Sequence, residues 1–341
     1  MKTYKWAIVS TGYIAHRFVQ GARLLPQAQI ACVCSRTMEN AVKFADEYGI
    51  GGRYDDYEVM LKQEKPDIVY VATPNIAHYD YVMKALDLGV HVLCEKPMAD
   101  HIPQQDEMYK KAKDAGLFLM EGMWTRCFPV VRKAAAWLAA GEIGRVLRVR
   151  SEFCFQPEEG NWQEWKAEAA LGGGAIRDLG IYTLAMAFLA IPEAPKTITS
   201  TIIPHKGADM RSELFLEYDG GRTAYLCNAM NSTCDMETTI TGELGYIKIG
   251  RAFFMPDRAR LFKPVAGNAM AYELAEMLDE PYEATGFQYE AAHVMACIDA
   301  GKLTSDWFTP KESREIGQII DDYRRKWGVR YSTDPQNWWK D

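Results

Sequence analysis

The sequence predicts an α/β chain in two parts. The first is a doubly wound parallel sheet. The second is an α+β part built on a large, mostly antiparallel open sheet. Three observations predict this. Short apolar runs alternate with helical patterns from Lys5 to Met120, the rhythm of strand–helix–strand units. From Leu147 onward the apolar residues recur at every second position instead, the period of a strand with one packed face. The chain has 341 residues, long enough for two domains with a large core.

Composition bounds the function. Hydrophobic residues make up 48% and charged residues 25%, ordinary for a globular protein. The net charge of -7, without a concentrated basic run, argues against a nucleic-acid partner. No stretch is long and apolar enough to span a membrane, and the opening Met1-Lys-Thr-Tyr-Lys-Trp6 lacks the apolar run of a signal peptide. The eight cysteines are scattered with no Cys-x-x-Cys, and Cys32 and Cys34 alternate within a strand pattern. Core thiols, a reducing cytoplasmic location and no metal centre are the expectation.

The first strand, Lys5 to Ser10, runs into Ser10-Thr-Gly12-Tyr13-Ile14-Ala15 and then a helical pattern from His16 to about Leu25. Strand, tight turn and helix form the context of a dinucleotide-binding turn. Gly12 lets backbone approach a pyrophosphate, the helix N-terminus faces its charge, and Ala15 permits close helix–strand packing. Ser10 stands where a glycine is usual. Ser10, Gly12, Tyr13 and Ile14 are therefore candidate cofactor contacts. The strand Gln29 to Cys34 ends in Ser35-Arg36-Thr37. An acidic residue there would bind ribose hydroxyls, whereas Ser35 and Arg36 suit a 2′-phosphate, so NADP is expected, with NAD possible. A solvated Arg36 and a helix-capping Thr37 are the bland alternatives.

Two further strands stop at prolines. Pro66 to Val71 ends in Thr73-Pro74, and Asn75 and His78 open the next helix. Thr73, Pro74, Asn75 and His78 are candidate cofactor contacts, with a cap for Asn75 and a surface role for His78 as alternatives. The second is Val90-His-Val-Leu-Cys-Glu95-Lys96-Pro97. Proline disfavours helix at the preceding residue, so Lys96 is held extended at the carboxyl end of a strand, where ligands of parallel sheets bind. A helix from Gln104 to Ala115 and a strand Leu117 to Met120 complete this part.

The second part opens with Gly122-Met-Trp124-Thr-Arg126-Cys-Phe128-Pro129 and a helix to Ala140. Strand patterns follow over residues 147–155, 197–203, 213–218, 223–230, 238–241 and 246–249. Between them, Leu171-Gly-Gly-Gly174 leads to Asp178 and Tyr182, four apart and so on one helix face. A tyrosine and a carboxylate there can meet Lys96 across a crevice; a core tyrosine and a pairing aspartate are the alternative. Gly286 opens a late helix containing Phe287, and the last helix, Pro310 to Gly328, is amphipathic. Trp338 and Trp339 in the tail are candidates to pack on the body or a neighbour.

Ser10-x-Gly12-x-x-Ala15, Glu95-Lys96-Pro97, Gly172-Gly-Gly and Asp178-x-x-x-Tyr182, in that order, resemble the Gfo/Idh/MocA oxidoreductases over nearly the whole chain. The resemblance implies a Rossmann dinucleotide-binding domain over residues 1–122. It implies a substrate-binding and dimerisation domain over 123–341, whose final helix can pack back on the first. It places Glu95 and Lys96 beside the nicotinamide, and it assigns Trp124, Arg126, Phe153 and Phe287 to the substrate pocket. Many members carry histidine where this chain has Tyr182; Met123-Trp124-Thr-Arg126-x-Phe-Pro129 and Asp178-x-Gly-Ile-Tyr182 match a branch with tyrosine. The implied reaction is hydride transfer between NADP and a sugar or cyclic diol, of aldose 1-dehydrogenase or trans-dihydrodiol dehydrogenase type. Lys96, Asp178 and Tyr182 form the expected catalytic set, with no metal and a homodimer through the second sheet. A tyrosine of pKa ~10 is too weakly acidic to act as a base at neutral pH unless a neighbouring cation favours its phenolate, the role given to Lys96. Asp178 then orients substrate hydroxyls or the lysine. A cofactor-binding sensor, or an enzyme acting on another polyol or carbonyl, are the alternative functions.

Overall fold

Apolar runs bounded by turn residues become the strands of a computed structural model, which describes residues 2–157, 168–169 and 172–335. Leu171 and the tail tryptophans Trp338 and Trp339 lie outside the described residues. The chain divides into two compact units, Met1–Trp124 with Tyr282–Arg314, and Thr125–Pro281 with Glu315–Asp341.

In the first unit the strands are β1 (Tyr4–Val9), β2 (Ala28–Cys34), β3 (Gly52–Tyr54), β4 (Ile68–Val71), β5 (His91–Glu95) and β6 (Leu119–Gly122). They form one six-stranded sheet in the order β3-β2-β1-β4-β5-β6, with every pairing parallel. This is the doubly wound order in which the chain reverses direction beside β1. The helices between them are α1 (Tyr13–Ala22), α2 (Met38–Tyr48), α3 (Tyr57–Glu64), α4 (His78–Asp87) and α5 (Ile102–Asp114). Side-chain caps start two of them: Thr37 accepts from the Asn40 N–H and Asp56 from the Val59 N–H. The capping alternative for Thr37 is thus the observed one.

Strand alternation gives this sheet two buried faces. Ala7, Val9, Val69, Val71, Val92 and Cys94 join a core with residues of α3, α4 and α5. Trp6 and Tyr70 face the other way, where Phe18 of α1 stacks on Tyr70 at 3.8 Å between centroids. The late helix α8 (Phe287–Asp299) covers that second face, with Phe287 edge-on to Phe18 at 6.1 Å. That burial explains why residues 282–314 cluster with the first unit. The strand β3 and the helix α3 were not expected from the sequence. Three residues are too few to display a period, and Tyr57–Glu64 has only a short apolar face.

The second unit contains α6 (Pro129–Ala139), β7 (Val146–Cys154), α7 (Ile181–Ala190), β8 (Thr197–His205), β9 (Ala208–Glu217), β10 (Thr223–Ala229), β11 (Thr238–Gly242), β12 (Gly245–Ile249), β13 (Arg258–Val265) and β14 (Asn268–Asp279). The sheet order is β14-β13-β12-β11-β7-β10-β9-β8, antiparallel except for the parallel pair β7–β10. The hairpin β13–β14 was not expected. Its strands interleave charges with apolar residues, and much of its surface is exposed. One face of this sheet packs on α6 and α7. The other leaves Phe215, Tyr272, Leu274 and Met277 exposed. The last helix, α9 (Pro310–Trp327), starts in the first unit and ends in the second.

Candidate active site

The carboxyl ends of β1, β2, β4 and β5 gather the candidate residues of the first unit. Ser10 follows β1 with φ 99, a left-handed conformation that ordinarily selects glycine. Its N–H donates to the Cys34 carbonyl at 2.9 Å, and its hydroxyl oxygen accepts the Gly12 N–H at 3.1 Å. The serine thus makes the glycine-like turn and fastens it with its own side chain. Gly12 is the N-cap of α1 without a side-chain cap, and a Cβ on it would meet only Ser10 Oγ, at 3.4 Å. The space above the helix N-terminus is therefore open to a phosphate, and the fit to a dinucleotide is good. Tyr13 and Ile14 are exposed beside it, and Ala15 is buried against the sheet.

At the end of β2, the Ser35 N–H donates to Tyr54 and its hydroxyl lies 3.2 Å from that of Thr11. Arg36 is exposed at the same edge. Beyond β4, Thr73 carries a buried hydroxyl with no protein hydrogen bond, a polar atom left for a ligand. Pro74 is exposed, and Asn75 opens a short 3-10 turn without a side-chain cap bond, so the capping alternative for Asn75 is not what the geometry shows.

His78 differs from both of its expected roles. It is fully buried, with Nδ1 2.9 Å from the Pro97 carbonyl and Nε2 2.9 Å from the Thr73 carbonyl. It ties the loop after β4 to the loop after β5 instead of pointing at a ligand, because the first turn of α4 is turned inward between those loops.

Lys96 follows β5 half-buried, joined to Pro97 by a cis peptide. Three carboxyl groups lie behind it. Glu95 accepts the Tyr70 hydroxyl at 2.5 Å and the Lys96 N–H at 3.2 Å. Glu121 on β6 accepts the Met98 N–H at 2.9 Å and the Ser313 hydroxyl of α9. Burial pushes its pKa up to about 7, against those hydrogen bonds. Glu290 of α8 is completely buried, and neither carboxyl oxygen has a hydrogen-bond partner. Burial first, and the Glu95 charge second, push its pKa well above the usual carboxylate value. Sequence reasoning missed Glu121 and Glu290. The signal was a lone glutamate in each of two apolar stretches, Leu119-Met-Glu121 and Glu290-Ala-Ala.

Trp124 and Phe287 stack at 4.3 Å between centroids, with the Arg17 guanidinium 5.5 Å from the Trp124 ring. Phe287 is 2% exposed, packed between Trp124 and Phe18 as part of the core of the first unit. His293, Cys297 and Asp306 bring three possible metal donors together, but Ser305 holds His293 Nε2 at 2.8 Å and Lys302 holds Asp306 at 2.7 Å.

In the second unit, Asp178 and Tyr182 fall on successive helical segments. Ile176–Gly180 is a π-helical turn running directly into α7, a widening often found at functional sites. Asp178 is half-buried. Tyr182 is 5.8 Å from Phe153 and 6.0 Å from Phe254 between ring centroids, and Phe153 stacks on Phe254 at 4.3 Å. Phe254, unanticipated from the sequence, sits in the loop before β13 and is held through its carbonyl by the Thr125 hydroxyl at 2.5 Å. Arg126 is buried and donates to the Ala185 carbonyl of α7 at 2.6 Å, so it holds that helix and is not placed as a substrate contact.

Comparison with known proteins adds lineage to this geometry. Residues 4–123 match the family described as "Oxidoreductase family, NAD-binding Rossmann fold", and residues 131–248 match "GFO/IDH/MocA C-terminal domain". The chain is 31% identical to a trans-1,2-dihydrobenzene-1,2-diol dehydrogenase of Xenopus tropicalis, over 96% of this chain and 99% of that protein. The counterpart of Xenopus laevis is 32% identical, over 96% and 99%. A crystal structure of an aldose-aldose oxidoreductase from Caulobacter crescentus, complexed with glycerol, superposes with TM-score 0.82 at 25% identity, covering 95% of this chain and 97% of that one.

Proposed function

From the premise that this chain belongs to the Gfo/Idh/MocA family and is an NAD(P)-dependent oxidoreductase, we propose that it oxidises a CH–OH group of a sugar or cyclic diol with a preference for NADP. The observation that carries the reading is full-length similarity to dihydrodiol dehydrogenases in a chain that keeps Lys96 at the carboxyl edge of its parallel sheet. Ser35 and Arg36, with no acidic residue at the end of β2, support the choice of NADP.

The nicotinamide supplies a hydride acceptor when bound. The turn from Ser10 to Ile14 would hold a pyrophosphate at the α1 N-terminus, and Thr73, Pro74 and Asn75 would contribute cofactor contacts at the sheet edge after β4. Tyr182 takes the hydroxyl proton of the substrate as hydride leaves its carbon. Lys96 favours the tyrosinate by its charge, and Asp178 orients the substrate hydroxyls. Phe153 and Phe254 keep water from the phenol, and Trp124 belongs to the substrate side of the site. The exposed apolar residues on the open face of the second sheet support a homodimer, and the eight free cysteines support a reducing cytoplasm.

The test offers NADP or NAD with a panel of aldoses and cyclic trans-diols and follows nicotinamide reduction. Turnover with NADP and a panel member is expected. Tyr182→Phe should lower kcat at least ~100-fold, in the range of a lost acid/base group, with NADPH binding intact. Saturable NADPH binding without turnover of any panel member would favour a sensor. An unchanged kcat in the variant would remove Tyr182 from proton transfer.

A further inference from the structure

The turn leading to Asp178 is built from residues far apart in sequence. Gly174 has φ 135, and a Cβ on it would lie 2.4 Å from Asp209 Oδ1. Asp209 is fully buried on β9, and its Oδ2 accepts the Ile176 N–H at 2.7 Å. A carboxyl group therefore caps the π-helical turn, and the Asp178 N–H donates to the Gly174 carbonyl at 2.9 Å. The adjacent Gly173 carbonyl accepts the Tyr331 hydroxyl at 3.1 Å.

Tyr331 comes from the segment after α9 and is rigidly mounted. The Arg324 guanidinium lies 3.6 Å from its ring centroid and that of Arg177 lies 4.6 Å from it. Arg324 is fully buried and places Nη2 2.6 Å from both oxygens of Asp334. Asp334 Oδ2 in turn accepts the Tyr331 N–H at 2.8 Å. Ala169, Ala208, Val329 and Tyr331 close a small apolar cluster beside the turn. An aromatic ring, two guanidiniums and a carboxylate thus aim one hydroxyl at one backbone carbonyl.

We propose that Tyr331 is a positioning residue for the oxidoreductase reaction: mounted on Arg324 and Asp334, it fixes the Gly173–Gly174 turn and thereby the angle at which Asp178 and Tyr182 are presented. The inference rests on the assignment of Asp178 and Tyr182 to the active site. Tyr331 itself touches no reacting atom. Its effect works through geometry, where displacements of about 1 Å cost on the order of 100-fold in rate.

Tyr331→Phe in the full chain removes the hydroxyl and keeps the ring between the two arginines. Two readouts decide. Amide hydrogen exchange over residues 174–180 should quicken several-fold, with α1 unchanged. With a turned-over alcohol, kcat/KM should fall about tenfold while the Kd for NADPH stays the same, because the cofactor turn belongs to the other unit. Unchanged exchange over 174–180 overturns the proposal. So does a joint fall in NADPH affinity and unfolding midpoint, which would make Tyr331 a general support of the fold. The exchange readout needs no substrate, so failure of the dehydrogenase reading is seen separately, as absent turnover in the unaltered protein.

Discussion

Ser10 shows how one residue carries more than its identity suggests. The turn after β1 requires positive φ, and a serine adopts it because its hydroxyl receives the Gly12 N–H. The pattern of a dinucleotide turn therefore survives the loss of its usual glycine. Arg36 is the residue that tests the proposed preference for NADP. A guanidinium–phosphate contact contributes about 1.5–3 kcal/mol, or roughly 10- to 100-fold in affinity. Arg36→Ala is expected to weaken NADP by that factor and NAD by less than about twofold, as read by fluorescence titration of the reduced cofactors. Equal losses would exclude a 2′-phosphate contact.

Strand β6 and the loop after β5 are coupled by Glu121, which links the Met98 backbone to Ser313 at the start of α9. The pKa of Glu121 is raised from 4.5 to about 7 by burial. Between those values the folded chain keeps a proton that the unfolded chain has released, so the folded state binds more protons and stability falls as pH rises. Below the lower value both states are protonated and the effect vanishes. Glu121→Gln removes the titration and keeps an oxygen acceptor for Met98. Its melting temperature relative to the unaltered protein should therefore rise between pH 5 and pH 8 by a few degrees, at about 2–4 °C per kcal/mol. A pH-independent difference would show that Glu121 does not titrate in this window.

For the whole molecule, the open face of the eight-stranded sheet sets the expected assembly. Phe215 on β9 and Leu274 on β14 are both exposed, and Tyr246 stacks on Phe262 at 4.6 Å between them. Exposed aromatic and aliphatic residues on an open sheet face, set among the ion-paired Arg150, Glu152, Lys248 and Arg260, make a surface for association. Light scattering should give twice the chain mass, and Phe215→Glu with Leu274→Glu should give the chain mass with the first unit still binding NADPH. A monomeric unaltered protein would remove the dimer.

The sequence alone determined the alternation of strands and helices, the dinucleotide turn, and the placement of Lys96 at a strand end, because each is a local pattern of apolar period, glycine and proline. It also singled out Asp178 and Tyr182 by spacing, though not the π-helical turn on which Asp178 sits. Only the tertiary structure decided what depends on partners distant in sequence. Phe287 proved to be core because Phe18 and Trp124 enclose it. Arg126 was claimed by the Ala185 carbonyl, and His78 by Thr73 and Pro97. The Glu290 carboxyl is pushed well above its ordinary pKa by burial under the packing of α8 and then by the Glu95 charge. The mount of Tyr331 joins residues 173, 177, 324 and 334, and no local pattern encodes such a set. Burial and hydrogen-bond satisfaction are properties of the packed chain, so they separate a functional side chain from a structural one where residue type and spacing leave both open.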